Sequence, residues 1–315
     1  MEEIAIEQKK NRQLYRELFL NASKTFKELM ESYRSDFSCT ECGVCCKIRY
    51  SKLSPDDIVR LANEENDTTA KEYLKLFVPY ESPLAHEYVD LILSKHDEPV
   101  YFYYCKHADD RINCEKSSIC KDFPDSITTI LPKQCSFRHW QQLIMYKISA
   151  EIEPDISKKV QEILDYRHQF KCNRTGTCCK LACSEFTYEE LKQKASNNDN
   201  FAQQFTSIFI PYTDIEQARK VYPEYVDLVL STLQGDDSGE TANFYHCKHL
   251  QGTNTCPVYE DRPQICRDFP DNPFSIIPNS CGYHQWKDEV LVAAYTFYSM
   301  TQIYGFYFVK IKAAL

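Results

Sequence analysis

Apolar residues recur at helical spacing through much of the chain, with short polar segments between them. Residues 3–34 place Leu18 and Phe26 among charged residues, which predicts a long amphipathic helix, broken near Asn21. A shorter helix is predicted over residues 156–170, just after a proline. The pattern therefore indicates a mainly α-helical protein.

Two segments have the signature of a helix start. Ser54 precedes a proline and two aspartates, so we expect it to cap a helix whose first residue is Pro55. Thr187, followed by Tyr-Glu-Glu, occupies the equivalent place later in the chain. Short helices are predicted to follow, among them ones through residues 73–77 and 88–93.

Residues 290–309 contain no charged residue and are long enough to cross a bilayer, which takes about 20 residues. Tyrosine, threonine and other polar residues are spread through this stretch and make it amphipathic. We therefore expect a buried C-terminal helix rather than a membrane span.

The chain repeats itself. Residues 37–47 read FSCTECGVCCK and residues 170–180 read FKCNRTGTCCK. Four later motifs recur in the same order: PY at 79 and 211, EYVD at 87 and 224, CKH at 105 and 247, and DFPD at 122 and 268. A repeat of this length predicts a tandem duplication. The first half, residues 1–150, would hold one cysteine-cluster repeat with its N-terminal helix, and the second half, residues 151–315, another with its C-terminal helix.

The 16 cysteines divide equally between the halves. They are Cys39, Cys42, Cys45, Cys46, Cys105, Cys114, Cys120 and Cys135 in the first, and Cys172, Cys178, Cys179, Cys183, Cys247, Cys256, Cys266 and Cys281 in the second. Their density and the adjacent Cys-Cys pairs fit metal ligands better than disulfides, and all 16 are candidate ligands of zinc or iron. Eight thiols exceed the four of one tetrahedral ion or one four-cysteine cluster, so either each half holds two centres or some thiols are only packed.

The spacing within the first cysteine loop predicts which of its thiols face the same metal centre. Cys39, Cys42 and Cys45 recur every three residues, so their sulfurs can turn toward one centre, and Gly43 supplies the tight backbone of such a loop. Neighbouring side chains diverge along a backbone. We therefore expect Cys46 to point elsewhere.

The second cysteine loop departs from the first at one position. Thr175 stands where Cys42 would be, and Cys183 is gained where the first half has Tyr50. We expect Cys183 to compensate, because a helical turn from Cys179 to Cys183 would place both sulfurs on one face. The alternative is that Cys183 is packed as an apolar residue and the second site has three thiols plus a histidine or water.

Several other features surround the later cysteines. Hairpin-like turns are predicted at residues 109–110 and 251–254, held by two short strands. His107 and His249 each follow a cysteine by two residues and are either ligands or partners of a thiolate. Arg262 lies close enough in sequence to Cys266 to offset thiolate charge or simply to stiffen the turn.

The net charge and the N-terminal sequence limit the partners and the compartment that we expect. The net charge of −9 and the absence of a strongly basic run speak against nucleic acid as a partner. The N-terminus has no apolar stretch of signal-peptide type, so we expect a reducing, cytoplasmic setting. Metal ions are the predicted partners, and no motif for a protein partner is recognised.

The leading motif Cys39-x2-Cys42-x2-Cys45-Cys46 and the later run Cys247-x8-Cys256, continuing to Arg-Pro-Gln-Ile-Cys266, carry a family resemblance. Together they resemble the two signature parts of the CxxCxxCC, or YkgJ-type, cysteine-cluster family, over residues 37–140 and 170–286. The resemblance implies a zinc- or iron-chelating domain. A more distant similarity to the cluster region of flagellin lysine-N-methylases implies an iron–sulfur centre.

Three functions are compatible with these features. The leading interpretation is a metal-binding protein with zinc or iron, including an iron–sulfur cluster, on thiolate sites. The second is an iron–sulfur-dependent methylase or redox enzyme, although only seven glycines and no glycine-rich nucleotide loop are present, and no catalytic motif is recognised. The third is a scaffold in which zinc staples small helices and an aromatic surface binds a partner.

Overall fold

A computed structural model of the chain describes residues 2–81, 86–108, 118–233 and 242–315. The chain divides into two compact units. The first-half unit contains Asn21–Asp155 and Met300–Leu315, and the second-half unit contains Met1–Leu20 and Ile156–Ser299. Each unit therefore combines one cysteine-rich segment with a helical segment from the other end of the chain.

In the first half, the long helix α1 is followed by short helices and by strands of three to five residues. The elements are α1 (Glu2–Arg34), α2 (Val44–Lys47), β1 (Arg49–Ser51), α3 (Pro55–Asn63), α4 (Thr68–Leu76), β2 (Phe77–Pro79), α5 (Glu87–Ser94), β3 (Tyr101–Cys105), α6 (Ser118–Lys121) and α7 (Phe137–Tyr146). A π-helical segment, Lys147–Ile152, follows α7 directly.

The second half follows a similar order. Its elements are α8 (Glu153–Tyr166), α9 (Thr177–Lys180), β4 (Ala182–Ser184), α10 (Tyr188–Ser196), α11 (Asn200–Ile208), β5 (Phe209–Pro211), α12 (Ile215–Val221), α13 (Pro223–Leu233), β6 (Asn243–Cys247), α14 (Gln264–Asp268) and α15 (His284–Ala314). The chain is 59% helical with small antiparallel sheets, so the mainly helical prediction is confirmed. No helix in the described ranges is both long enough and apolar enough to cross a membrane.

Each half contains a three-stranded antiparallel sheet. The strand order is β1-β3-β2 in the first and β4-β6-β5 in the second, so the strand that ends in a cysteine is central in both. Tyr50 pairs with Phe102, and Cys183 pairs with Phe244 at the corresponding register. Tyr50 and Cys183 therefore occupy equivalent positions in the two sheets.

Because side chains alternate along the central strand, each half has two hydrophobic cores, one on each face of its sheet. Phe102 packs on one face with Ile92 and Ile130, while Tyr103 and Cys105 pack on the other. The second half repeats this arrangement with Phe244 on one face and Tyr245 and Cys247 on the other. Side chains of successive strand residues point to opposite faces, so the central cysteine always lies on the tyrosine face.

Two sequence expectations about the long helices are wrong. Helix α1 runs unbroken through Asn21, because weak helix propensity costs only about 0.7 kcal/mol per residue at most and Phe26 is completely buried one turn later. Helix α8 does not begin after Pro154 but continues from α7 through the π-helical segment. There the Glu153 N–H donates to the Ile148 carbonyl, an i to i−5 bond that widens the turn immediately before the proline.

Both predicted helix caps are present. Ser54 caps α3 in a reciprocal box with Asp57, with Pro55 at the first helical position, and Thr187 caps α10 in the same way with Glu190. The predicted helices at 73–77 and 88–93 correspond to α4 and α5, although Phe77 already belongs to β2.

The turn predicted at 251–254 is also present, closed by two backbone hydrogen bonds between Gln251 and Thr255. It leads into no strand, because the cysteine-bearing strand β6 pairs instead with β4 and β5. The turn predicted at 109–110 lies outside the described residues.

The same hydrogen bonds recur within the two units. Trp140 Nε1–H donates to the Met30 carbonyl, and Trp286 Nε1–H donates to the Ile163 carbonyl. Each bond ties the helix after the last cysteine to the helix that precedes the first. Arg34 donates to the Lys121 and Asp122 carbonyls, and Arg167 donates to those of Arg267 and Phe269. These are structural roles for the DFPD segments.

Helix α15 is buried on one face only. Val290 and Ile311 are buried, whereas Phe306 and Val309 are more than half exposed. The C-terminal helix is thus packed on one side, as an amphipathic pattern requires, rather than enclosed.

Candidate thiolate metal centres

Each cysteine loop turns through a left-handed glycine into a one-turn helix. Gly43 has φ 76° before α2, and Gly176 has φ 72° before α9. Residues with a β-carbon rarely adopt this region, which explains why both loops have glycine here. The short helix that follows carries the adjacent cysteine pair of each half.

In the first-half unit the cysteines line one cavity. Its volume is about 160 Å³, and it is lined by Cys39, Cys42, Cys45, Cys46, Cys105, Cys120 and Cys135 together with His107. Cys114 lies outside the described residues. Phe77, Phe123 and Phe137 supply apolar walls. Thiols distributed over nearly 100 positions of sequence thus converge on one space.

The thiols of Cys39, Cys42, Cys45 and Cys135 form one group, which we term the first knuckle cluster. The pKa of Cys45 is raised above its ordinary value, first by a hydrogen bond with Cys46, then by burial, and then by the neighbouring charges of Cys46, Cys39 and Cys42. Burial is the main cause that raises the pKa of Cys135, and the charges of Cys42 and Cys39 raise it further. Cys39 and Cys42 thus act on both Cys45 and Cys135, and all four thiols line the same cavity.

A hydrogen bond between loops helps bring Cys135 to the first knuckle cluster. The hydroxyl of Ser136 donates to the carbonyl of Ser38, so the residue after Cys135 is fixed to the residue before Cys39. This bond holds Cys135, the last cysteine of the half, near Cys39, the first.

A second group in the first half, the first strand cluster, contains Cys46, Cys105 and Cys120. Cys105 ends β3 and is 4% exposed within the core on the tyrosine face of the sheet. Cys46 and Cys120 pack against that same core. Cys46 packs against this core while its thiol remains hydrogen-bonded to that of Cys45, so the two side chains do not diverge fully as the sequence led us to expect.

In the second half, Cys172, Cys178 and Cys281 form the second knuckle cluster. The pKa of Cys178 is raised, first by a hydrogen bond with Cys179, then by burial, and then by the charges of Cys179, Cys172 and Cys281. Burial raises the pKa of Cys281, and the charge of Cys172 adds to that effect. Thr175 occupies the place that Cys42 has in the first half.

A close backbone approach holds Cys281 beside Cys172. A β-carbon at Gly282 would fall inside contact distance of the Lys171 carbonyl oxygen and 3.0 Å from the Asn173 nitrogen. The Asn173 side-chain amide also donates to the Ser280 carbonyl. Only glycine at position 282 allows this approach without displacement of the backbone.

The second strand cluster contains Cys179, Cys247, Cys256 and Cys266. Burial and the charges of Cys179, Cys247 and Cys256 raise the pKa of Cys266 to about 12, with Arg262 opposing. A hydrogen bond from Cys178 lowers the pKa of Cys179 to about 7, and the charge of Arg262 contributes to that shift. Cys179 and Cys266 pack against the same core as Cys247.

Backbone N–H groups point at the sulfurs in both halves. The amide two residues after the cysteine donates to Cys39 at 3.3 Å, and to Cys105, Cys172 and Cys247 at 3.4 Å. Cys135 and Cys281 accept such bonds as well. A donor aimed at sulfur favours the thiolate over the thiol, which is the form that binds metal. The loops thus prepare the sulfurs for negative charge.

The donor set fits a soft metal centre. Cysteine thiolates select zinc, iron–sulfur clusters and copper(I), and zinc or iron agrees with this set. No disulfide joins the cysteines in the part of the chain that the structure describes. Over the same residues, no three His, Cys, Asp or Glu side chains are arranged closely enough to hold an ion. The thiols are therefore grouped around shared space but are not drawn in to ligand distances.

A scan against protein-family models adds an independent finding. Residues 171–282 match the CxxCxxCC family. That family is described as a "putative zinc- or iron-chelating domain". The matched range contains all eight cysteines of the second half and none of the first. The family resemblance is thus confirmed, whereas similarity to the flagellin methylases is not shown. No curated protein and no solved structure matches the chain.

Within the matched range, Cys183 lies apart from both clusters. Helix α9 ends at Lys180 and Cys183 lies on strand β4, so the helical turn expected from Cys179 to Cys183 is wrong. The Cys183 sulfur is 3.7 Å from the Tyr225 hydroxyl. Burial raises the pKa of Cys183, and no other cysteine contributes to that shift. Its structural counterpart is Tyr50, whose hydroxyl also makes a hydrogen bond in the core, with the Ile130 N–H.

The charge of Arg262 acts on two cysteines of the matched range. This charge contributes to the lowered pKa of Cys179 and opposes the rise in the pKa of Cys266. Its guanidinium lies 3.7 Å from the centre of the Tyr259 ring, and Arg174 lies 3.8 Å from the same centre. In the first half, Arg49 lines the cavity from β1 instead and stacks on aromatic rings.

The two histidines make the same backbone contact. His107 and His249 each donate a backbone N–H to the sulfur of the cysteine two residues earlier, and His107 also lines the first-half cavity. Sequence reasoning missed Gly282, whose role comes from a backbone contact. The available signal was its position directly after Cys281 in a chain with only seven glycines.

Proposed function

We propose that this protein coordinates zinc or iron through cysteine thiolates in both halves, with each knuckle cluster and each strand cluster serving as a separate centre. Cys114 is assigned to the first strand cluster because its counterpart, Cys256, belongs to the second. The two sets then account for all eight thiols of the first half and for seven of the eight in the second. Cys183 is left out of both.

The observation that carries this proposal is the cysteine-lined cavity of the first half, a region outside the matched family range. A water molecule needs only about 10–15 Å³, so about 160 Å³ has room for more than one ion or for a cluster. Seven thiols converge on this apolar-walled space, and thiolates are the donors that zinc and iron–sulfur clusters favour.

We further propose that the halves are tandem copies of one domain. Support comes from the identical strand order, the two left-handed glycines and the matched Trp-to-carbonyl bonds. Thiolate ligands in this number also suit a reducing compartment such as the cytoplasm.

Elemental analysis and visible absorption of protein purified anaerobically without added metal test the proposal. The expected result is tightly held zinc or iron, with a broad brown absorption if an iron–sulfur cluster is present and no colour if zinc is. Chelation should also reduce helical content, since thiolate coordination supplies folding free energy. Less than about half an ion per chain, with reduced thiols and unchanged helicity in chelator, would contradict it.

A further inference from the structure

We infer that the second knuckle cluster is an open, three-thiol metal site whose fourth position, at Thr175, takes a small exogenous donor such as an imidazole or a thiol. This inference rests on the proposed function. It assigns different roles to the two knuckle clusters: the first is closed by four thiols, and the second exchanges a ligand.

The two loops have the same backbone, so the missing thiol leaves a defined position. Glu41 and Arg174 have φ 56° and 57°, and Gly43 and Gly176 also agree. Cys42 lines the first-half cavity, and its charge acts on Cys45 and Cys135. A side chain at position 175 would therefore be directed toward the other cluster members in the same way.

Thr175 itself is a poor substitute for a thiolate. Its hydroxyl accepts a hydrogen bond from the Thr177 hydroxyl at 3.3 Å and remains a neutral oxygen at ordinary pH. Soft thiolate-bound metals favour sulfur or nitrogen over such a donor.

No described thiol of the second half replaces the missing one. Cys183 lies on β4 with its sulfur at Tyr225. Cys179 is hydrogen-bonded to Cys178, but it packs with Cys266 against the core of the second strand cluster, as Cys46 does in the first half. Cys247 lies in that same core with Cys266 packed against it, and Cys256 is grouped with these two. Structural zinc sites have four protein ligands, whereas a site with three keeps one position for water or a ligand.

Cobalt(II) is the probe for this site, because its visible spectrum reports the ligands around it. The full chain would be depleted of native metal, loaded with Co²⁺ under anaerobic conditions and titrated with imidazole. Wild type should show a spectral shift on imidazole addition. Thr175→Cys should abolish the shift by supplying the fourth thiolate, and Cys42→Thr should increase it by opening the matched site of the first half. Cys183→Ser should respond as wild type does.

The outcomes separate this inference from the proposed function. If wild type binds cobalt but does not respond to imidazole, or if Thr175→Cys responds as strongly as wild type, the open site is contradicted while metal binding stands. Loss of the response in Cys183→Ser would show that Cys183 takes part in this site. If wild type binds no cobalt, the proposed function fails, and this inference fails with it. Far-UV circular dichroism of each variant checks that it is folded.

Discussion

Single residues decide how closely the thiols of each cluster can approach. Gly282 permits backbone contact between the last and first cysteine loops of the second half, where the first half uses the hydrogen bond of Ser136 to Ser38. Thr175 removes one sulfur from an otherwise equivalent loop. The close approach at Gly282 and the missing sulfur at Thr175 each come from one residue, so a single substitution can test each of them.

Gly282→Ala should reduce the metal content of the second knuckle cluster, because the added methyl group would force Cys281 away from Cys172. Crowding of this kind costs about 1–3 kcal/mol of folding free energy. Elemental analysis and thermal unfolding of the same preparation measure both effects.

Gly305→Ala is the matched control. A β-carbon there meets nothing within 4 Å, and Gly305 lies inside helix α15, so alanine should stabilise the protein by up to about 1 kcal/mol and leave metal content unchanged. Equal metal loss in both variants, or none in Gly282→Ala, would show that the close approach does not position Cys281.

At the scale of elements, short caps and short strands position the cysteines. The capping boxes fix where α3 and α10 begin, directly after strands β1 and β4 that follow the cysteine pairs. Three-residue strands then pair with a central strand that ends in a cysteine. The caps therefore contribute to the path that brings early and late cysteines together.

Ser54→Ala should destabilise the protein by about 1 kcal/mol, because it removes the cap of α3. Hydrogen bonds from the Ser54 hydroxyl and N–H lower the pKa of Asp57 in the folded state. The stabilisation from that carboxylate is therefore present above its unfolded pKa of about 3.9 and is lost as pH falls through the lower folded value. An NMR titration should show the Asp57 pKa rise in Ser54→Ala.

Thr187→Ala should raise the pKa of Glu190 in the same manner, since Thr187 lowers it. Ser207→Ala serves as the control, because its exposed hydroxyl only donates to a carbonyl within α11. An unchanged Asp57 pKa in Ser54→Ala would contradict the reciprocal box.

Helix caps and turns, which depend on neighbouring residues, could be predicted from the sequence, whereas contacts between distant segments could not. The caps at Ser54 and Thr187 and the turn at Gln251 depend on residues within four positions, and all three predictions are confirmed. The helical turn expected from Cys179 to Cys183 was wrong because an i, i+4 spacing cannot show that β4 pairs with β6. Three-residue strands are too short for alternation to reveal them.

The family match could be predicted from the cysteine spacing, but the grouping of thiols could not. Cys135 lies near Cys39 across almost 100 residues, and Cys46 packs against the core of the sheet while its thiol is hydrogen-bonded to Cys45. These relations depend on the folded sheet and on contacts between loops, which spacing alone does not specify.

At the scale of the whole molecule, each unit repeats one plan: a helix leading to a cysteine loop, a sheet with a cysteine at its centre, and a tryptophan bonded back to the first helix. The two halves share this plan but differ in their thiols. On our account the first half is fully supplied with thiols and the second half has one open position, so metal in the two halves should differ in exchange rate.

Native mass spectrometry of the intact chain tests the central claim, that adjacent cysteines belong to separate metal centres, most directly. In Cys45→Ser/Cys135→Ser both changes fall in one cluster, so bound metal should decrease by no more than in either single variant. In Cys45→Ser/Cys46→Ser the changes fall in two clusters, and the losses should add. Equal metal loss in the two double variants, or a wild-type mass equal to that of the metal-free chain, would contradict the account.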